Sequence, residues 1–179
     1  MKRGEAEISA IMRRVRSRDT APELLLRKAL WATGLRFRTC PANLPGKPDI
    51  VVDSKRLAIF IDGDFWHGGQ WRKRKLASLD DQFRQTPSRD YWLSKIRRNM
   101  DRDCRSTAAL AAEGWSVIRL WESEVLADLP ACVERIVNGW PGHSVAPAKT
   151  FAEFFAGIGL MMRPRKSRLD RRLRERYRP

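Results

Sequence analysis

Two apolar runs, Ile50-Val51-Val52 and Leu57-Ala58-Ile59-Phe60-Ile61, lie on either side of the polar turn Asp53-Ser54-Lys55-Arg56. Runs this short and this close predict a β-hairpin, and the lack of polar alternation predicts strands covered on both faces. Such a hairpin needs helices above and below it. Thr20 stands as an N-cap before Ala21-Pro22-Glu23 and opens a helix with Leu24, Leu25, Ala29 and Leu30 on its apolar face and Gly34 as its stop. Tyr91 to Glu113 reads as a long helix ended by Gly114, Ser116 to Trp121 as a further strand, and Leu126 to Trp140 as a closing helix. Leu35-Arg36-Phe37-Arg38 alternates like a short strand, and the polar, basic stretch from Gly68 to Arg89 reads as a loop with a short helix, the most flexible element. The order of elements predicts an α/β fold, a central mixed sheet flanked by helices.

A chain of 179 residues fits one domain, here 1–143, with a short appendage, 144–179. Lys and Arg number 36 against 21 Asp and Glu, a net charge of +15, which favours a polyanion through counterion release. Nucleic acid is the leading partner, with a merely soluble basic surface as the alternative. The basic residues are spread along the chain and form no single amphipathic helix for a membrane surface. Glu5 and Glu7 stand where a secretory peptide would be apolar, so a cytoplasmic protein is expected. Cys40, Cys104 and Cys132 are widely separated and odd in number, which suggests reduced thiols and neither a disulfide framework nor a zinc knuckle.

The turn Leu44-Pro45-Gly46-Lys47-Pro48 delivers Asp49 to the mouth of the first strand, while Asp62 and Asp64 close the second. If the strands pair, the acidic groups converge at one end of the sheet, where hard cations that promote phosphodiester hydrolysis take carboxylate oxygens. Spacing alone is equally consistent with ordinary turn carboxylates. His67, in Phe65-Trp66-His67, adds a group suited to proton transfer near neutral pH.

In order along the chain stand Arg18-Asp19-Thr20-Ala21, Leu44-Pro45-Gly46-Lys47-Pro48-Asp49, Phe65-Trp66-His67, Tyr91-Trp92-Leu93-Ser94-Lys95-Ile96, Asn99, Arg102-Asp103, Gly114-Trp115 and Trp121-Glu122. This ordered set, over about residues 8 to 140, resembles the very short patch repair endonucleases. The resemblance implies a restriction-endonuclease-like fold with a degenerate PD-(D/E)XK site. It implies Asp49 as the central Mg2+ ligand, a second contact through the backbone carbonyl of Ile61, Glu23 near the metal's water shell, and His67 as proton carrier. Asp62 falls where these enzymes usually have a second histidine, which points to a metal- or water-binding role. Phe65, Trp66 and Trp92 match an intercalating wedge, and such rings can also be core aromatics. Arg72, Lys73, Arg74, Lys95, Arg98 and Asn99 are the expected DNA contacts.

Where the family often carries structural zinc, this chain has Asp64, Gly69, Trp71 and Ser123, a set that cannot form a closed nitrogen and sulfur site, so no zinc is expected. The implied activity is magnesium-dependent nicking of double-stranded DNA 5′ of the thymine in a T:G mismatch, by a monomer. Two other readings stay open: a restriction-type or other repair nuclease without a mismatch requirement, and a DNA-binding module with a decayed site. Phe154-Phe155-Ala156-Gly157-Ile158-Gly159 resembles the opening motif of cytosine-C5 DNA methyltransferases, but the rest of such an enzyme does not follow. The tail therefore reads as a fragment of a fused or adjoining methyltransferase frame, or as a partly disordered basic DNA-binding arm.

Overall fold

A computed structural model describes residues 18–138. The tail, the domain limit at 143 and the methyltransferase-like motif lie outside the described residues. Helix α1 spans Ala21–Ala32, and strands β1, β2 and β3 span Arg38–Thr39, Ile50–Val52 and Leu57–Asp62. Two short helices follow, α2 at Gln70–Lys73 and α3 at Leu79–Gln82, and then the long α4 at Arg89–Ala112. Strand β4, Ser116–Trp121, leads into α5, Glu122–Ala127, and α6, Leu129–Asn138.

The four strands lie in sequence order, β1-β2-β3-β4. β1, β2 and β3 pair antiparallel, with Ile50 opposite Ile59, whereas β3 and β4 run parallel, with Ile61 beside Leu120. The fold is thus the expected mixed α/β architecture, consistent with the restriction-endonuclease-like class. Val51, Ala58 and Phe60 form a core layer with Leu44 and Leu110, the last from α4. By strand alternation Ile50, Leu57 and Ile59, all fully buried, point to the other face, and α1, α5 and α6 pack on one another. Burial on both faces explains why the hairpin strands carry almost no polar residue.

Three boundaries differ from expectation for physical reasons. The first strand is only Arg38–Thr39, because Phe37 packs edge-on against Trp31 and Arg36 lies 4.2 Å over the same ring, so the preceding segment folds back on α1. The closing helix is two helices. Asp128 breaks it, its carboxylate accepting the Ala131 N–H as a new cap, and Pro130 in the new first turn lacks the N–H that continuation would need. The segment read as a flexible loop contains two short helices, and its Phe83 is buried against Trp92, Leu93 and Ile96.

The turn before Asp49 depends on Gly46. Its φ is +74°, and a Cβ there would lie 2.7 Å from Ser106 Cβ on α4. Gly46→Ala should therefore lower stability by about 2 kcal/mol or more in urea unfolding. A loss under about 0.5 kcal/mol would mean that the turn is not pinned against α4.

Candidate active site

Antiparallel pairing brings the start of β2 and the end of β3 together, so Asp49 and Asp62 stand at one end of the hairpin. The Asp49 N–H donates to the Ile59 carbonyl at 3.0 Å, and its side-chain Oδ2 accepts the Ile61 N–H at 2.7 Å. Burial pushes its carboxyl up to about 6. The Ile61 N–H opposes that rise, the negative charges of Glu23 and Asp62 add to it, and Arg27 moderates it. Asp49 makes no ion pair with arginine or lysine among the described residues.

Glu23 reaches this point from the first turn of α1. Its carboxylate, 3% exposed by residue, accepts Asp19 N–H at 3.0 Å, Thr20 Oγ1–H at 2.8 Å and Arg27 Nη2–H at 2.8 Å. The helix cap read in the sequence therefore also orients an acidic side chain toward the strand mouth. Cys40, held by its N–H on the Asp49 carbonyl, completes the group, in which one ligand atom from each of Glu23, Cys40 and Asp49 lies within 4.8 Å of the others. Burial, then the Asp49 charge, raises the Cys40 thiol above its ordinary value. Two carboxylates, one without a cationic partner, are a donor set that fits a hard divalent ion, and the backbone of Ile61 runs directly beside Asp49.

The second group centres on His67. Its Nδ1 lies 2.5 Å from Asp103 Oδ2 on α4 and 3.4 Å from Asp62 Oδ1. Arg119 on β4 grips Asp62 with both Nε, at 2.7 Å, and Nη2, at 2.6 Å, and Nη2 also lies 3.1 Å from Asp103 Oδ1. Burial works to raise Asp103, but the His67 hydrogen bond and the charges of His67, Arg119 and Arg102 outweigh it, leaving the carboxyl below its ordinary value. Burial likewise disfavours the Arg119 charge, and Asp62 and Asp103 more than compensate. Asp62, at 5% exposure, has both oxygens held by the Arg119 guanidinium, and one ligand atom from each of Asp62, His67 and Asp103 lies within 4.8 Å of the others, a second acidic group beside the first.

Phe65 and Trp66, both half-buried, meet edge to face with centroids 5.1 Å apart. Trp92 is different. It is 6% exposed and stacked on Phe83, so it is the floor of the aromatic cluster and does not project from it. Lys95 Nζ lies 5.3 Å over Trp66, and Asn99 Nδ2 donates to the Trp66 carbonyl at 3.0 Å, so Asn99 fixes the loop that carries this half-buried ring. Arg72, Lys73, Arg74 and Arg98 are exposed.

The positions that would match a zinc site are joined by other means. Asp64, 5% exposed, accepts Ser123 Oγ–H at 2.6 Å and Ser123 N–H at 3.2 Å, and its carbonyl accepts Gly69 and Gln70 N–H, both at 2.8 Å. Gly69 is needed for close packing, since a Cβ there would sit 2.7 Å from the Trp121 ring. These oxygens and rings do not fit a closed zinc site.

Reasoning from sequence assigned no role to Asp103, Arg119 or Cys40. One signal was available for Arg119, a charge interrupting Val117-Ile118-Arg119-Leu120 in an otherwise apolar strand. Asp103 was visible only as part of a matching string.

Residues 3–73 match the family described as DNA mismatch endonuclease Vsr. The chain is 44% identical over 133 residues to the type II nicking enzyme V.XorIIP of Xanthomonas oryzae pv. oryzae, covering 72% of this chain and 88% of that protein. It is 40% identical over 121 residues to the type II nicking enzyme V.NmeDIP of Neisseria meningitidis serogroup C, covering 68% and 77%. It is 40% identical over 118 residues to the DNA mismatch endonuclease Vsr of Escherichia coli, covering 66% and 70%.

Holding Asp49 in this site has a cost that depends on pH. Because its folded value is about 6 and its ordinary value 3.8, the folded chain binds that proton more tightly than the unfolded chain. The resulting stabilisation is complete below the ordinary value and is lost as pH rises through 6. Metal-free Asp49→Asn should accordingly be more stable than the parent at pH 7.5, by on the order of 2 kcal/mol, with the gap largely closed by pH 3.5. Thermal unfolding at the two pH values reads this out, and a variant no more stable at pH 7.5 would show that ionised Asp49 is not under strain.

Proposed function

The chain belongs to the DNA mismatch endonuclease Vsr family and is a DNA endonuclease, and on that premise we propose that it makes a magnesium-dependent nick 5′ of the thymine in a T:G mismatch left by deaminated 5-methylcytosine. The observation that carries the reading is Asp49, a largely buried carboxylate raised by burial and by neighbouring acids and, among the described residues, paired with no cation. A divalent cation removes that penalty, and when bound it polarises the phosphate and activates water. Asp49 and the Ile61 carbonyl would hold it, with Glu23 orienting its water. His67 moves the proton through Nε2, since its Nδ1 faces Asp103.

The aromatic cluster supplies the mismatch preference in this reading. A mismatched step unstacks at less cost than a regular pair, and Trp66 and Phe65 are the rings placed to fill it, with Trp92 and Phe83 as their rigid support. Lys95 beside Trp66, with Arg72, Lys73, Arg74 and Arg98, grips phosphates. The chain acts as a monomer beside a cytosine-C5 methyltransferase encoded nearby or fused, which would generate the methylated cytosines whose deamination creates the target. Among the described residues no helix is long and apolar enough to cross a membrane.

The test uses end-labelled duplexes of one sequence with either a T:G or a paired C:G step, incubated with the protein and Mg2+. Expected are strand-specific incision at the mismatch, at least about tenfold slower incision of the paired duplex, and loss of incision but retained binding in Asp49→Ala. Equal cutting of both duplexes would support a restriction-type nuclease, and binding without incision by the parent would support a module with a decayed site.

A further inference from the structure

The imidazole of His67 faces two carboxylates through one nitrogen. Asp103 Oδ2 lies 2.5 Å from Nδ1 and Asp62 Oδ1 lies 3.4 Å from it. An ionised carboxylate accepts only, so Nδ1 carries the hydrogen and Nε2 is left for the reaction. Asp103 holds the hydrogen bond, while Asp62 Oδ1 stands near enough to the same nitrogen to compete for its hydrogen if left without a partner of its own. Something must decide between them.

Arg119 is built to do so. Its Nη2 stands between the two carboxylates, 2.6 Å from Asp62 Oδ1 and 3.1 Å from Asp103 Oδ1. It therefore occupies the Asp62 oxygen that would compete for His67, while holding the far oxygen of Asp103 and leaving Asp103 Oδ2 to the imidazole. Nε binds Asp62 Oδ2, so Asp62 is clamped in a two-point fork that a point charge cannot reproduce. The guanidinium is itself fixed, lying 4.5 Å over the Phe60 ring with Nη1 reaching Thr107 Oγ1. Its strand is anchored through the Arg119 carbonyl, which accepts from Arg135 at 2.5 Å. Neither the backbone nor the aromatic cluster requires an arginine in this mostly apolar strand.

We propose that Arg119 is a positioning residue of the nuclease, one that neutralises Asp62 and locks Asp103 so that His67 donates Nδ1–H to Asp103 and presents Nε2 to the scissile phosphate. The inference rests on the nuclease reading for its consequence in catalysis and on the side-chain geometry for the state of the imidazole. Asp62 then acts as the counter-charge that holds the arginine in place, which accounts for a buried carboxylate that does not reach the Glu23, Cys40 and Asp49 group.

The experiment compares the full chain with Arg119→Met, Arg119→Lys and the double variant Asp62→Asn/Arg119→Met. It measures single-turnover nicking of the T:G duplex, duplex affinity, and the slowly exchanging His67 Nδ1–H signal in 15N-resolved NMR of the free protein. Expected for Arg119→Met are at least about a tenfold loss of nicking rate, affinity within about twofold, and loss of the Nδ1–H signal. Arg119→Lys should be intermediate in both rate and signal. The double variant, having no unpaired carboxylate to compete for the ring, should nick at least about threefold faster than Arg119→Met and regain the signal. If Arg119→Met does not fold, the lysine and double variants carry the same comparison. The proposal is overturned if the singly substituted folded proteins keep the parental rate and signal, or if the double variant gains neither. A parent that nicks no duplex but whose Nδ1–H signal responds to Arg119 as described would refute the nuclease reading and leave the positioning geometry standing.

Discussion

The hydrogen bond from the Ile61 N–H to Asp49 Oδ2, 2.7 Å across the mouth of the β2–β3 hairpin, is the contact on which the site depends. It holds a carboxylate where burial and two neighbouring acids make ionisation unfavourable. One backbone donor offsets only part of that cost, because desolvation outweighs the Ile61 hydrogen bond at this carboxyl and the charges of Glu23 and Asp62 add to the rise. The remainder is left for a ligand. Pro48 and the Gly46 turn deliver Asp49 to this point, the antiparallel register puts Ile61 opposite, and the cap of α1 brings Glu23 over it.

The acids at this end of the sheet fall into two groups that differ in what neutralises them. Arg27, from α1, lies 2.8 Å from Glu23 and 3.7 Å from the Cys40 sulfur. Arg119, from β4, serves Asp62 and Asp103. Asp49 belongs with Glu23 and Cys40 and, among the described residues, makes no ion pair with an arginine. Each group sets two carboxylates against one arginine, and the two differ in how the oxygens are held: Arg119 grips both oxygens of Asp62 and one of Asp103, whereas Asp49 takes only a backbone N–H on its side chain. At Asp64, among the described residues, no arginine takes part: Ser123 donates to both carboxylate oxygens, and so the loop after β3 is joined to the start of α5.

How much of this was legible in the sequence follows from how local each cause is. The hairpin, the capped first helix and the long α4 were readable because hydrophobic runs, Thr20 with Glu23, and Gly114 act over a few residues. Asp49, Glu23 and His67 could be picked out from their strings and do stand at the strand mouth and beside it. What was not readable depends on contacts distant in sequence. That Asp62 is gripped by Arg119, 57 residues on, could not be seen from its string. Of the two readings open for Trp92, wedge or core ring, its string could not choose, because its burial depends on Phe83, in a segment with no steady periodicity. The break between α5 and α6 was local after all, since Asp128 and Pro130 were both visible, but the apolar spacing ran through it.

The central claim is that Asp49, and not Asp62, is the carboxylate left for a divalent cation. Electron paramagnetic resonance of Mn2+ titrated into the metal-free protein tests it directly, by counting ions bound by the parent, Asp49→Asn and Asp62→Asn. The account predicts one ion per chain in the parent, its loss in Asp49→Asn, and its retention in Asp62→Asn. Retention in Asp49→Asn, or loss in Asp62→Asn alone, would contradict it.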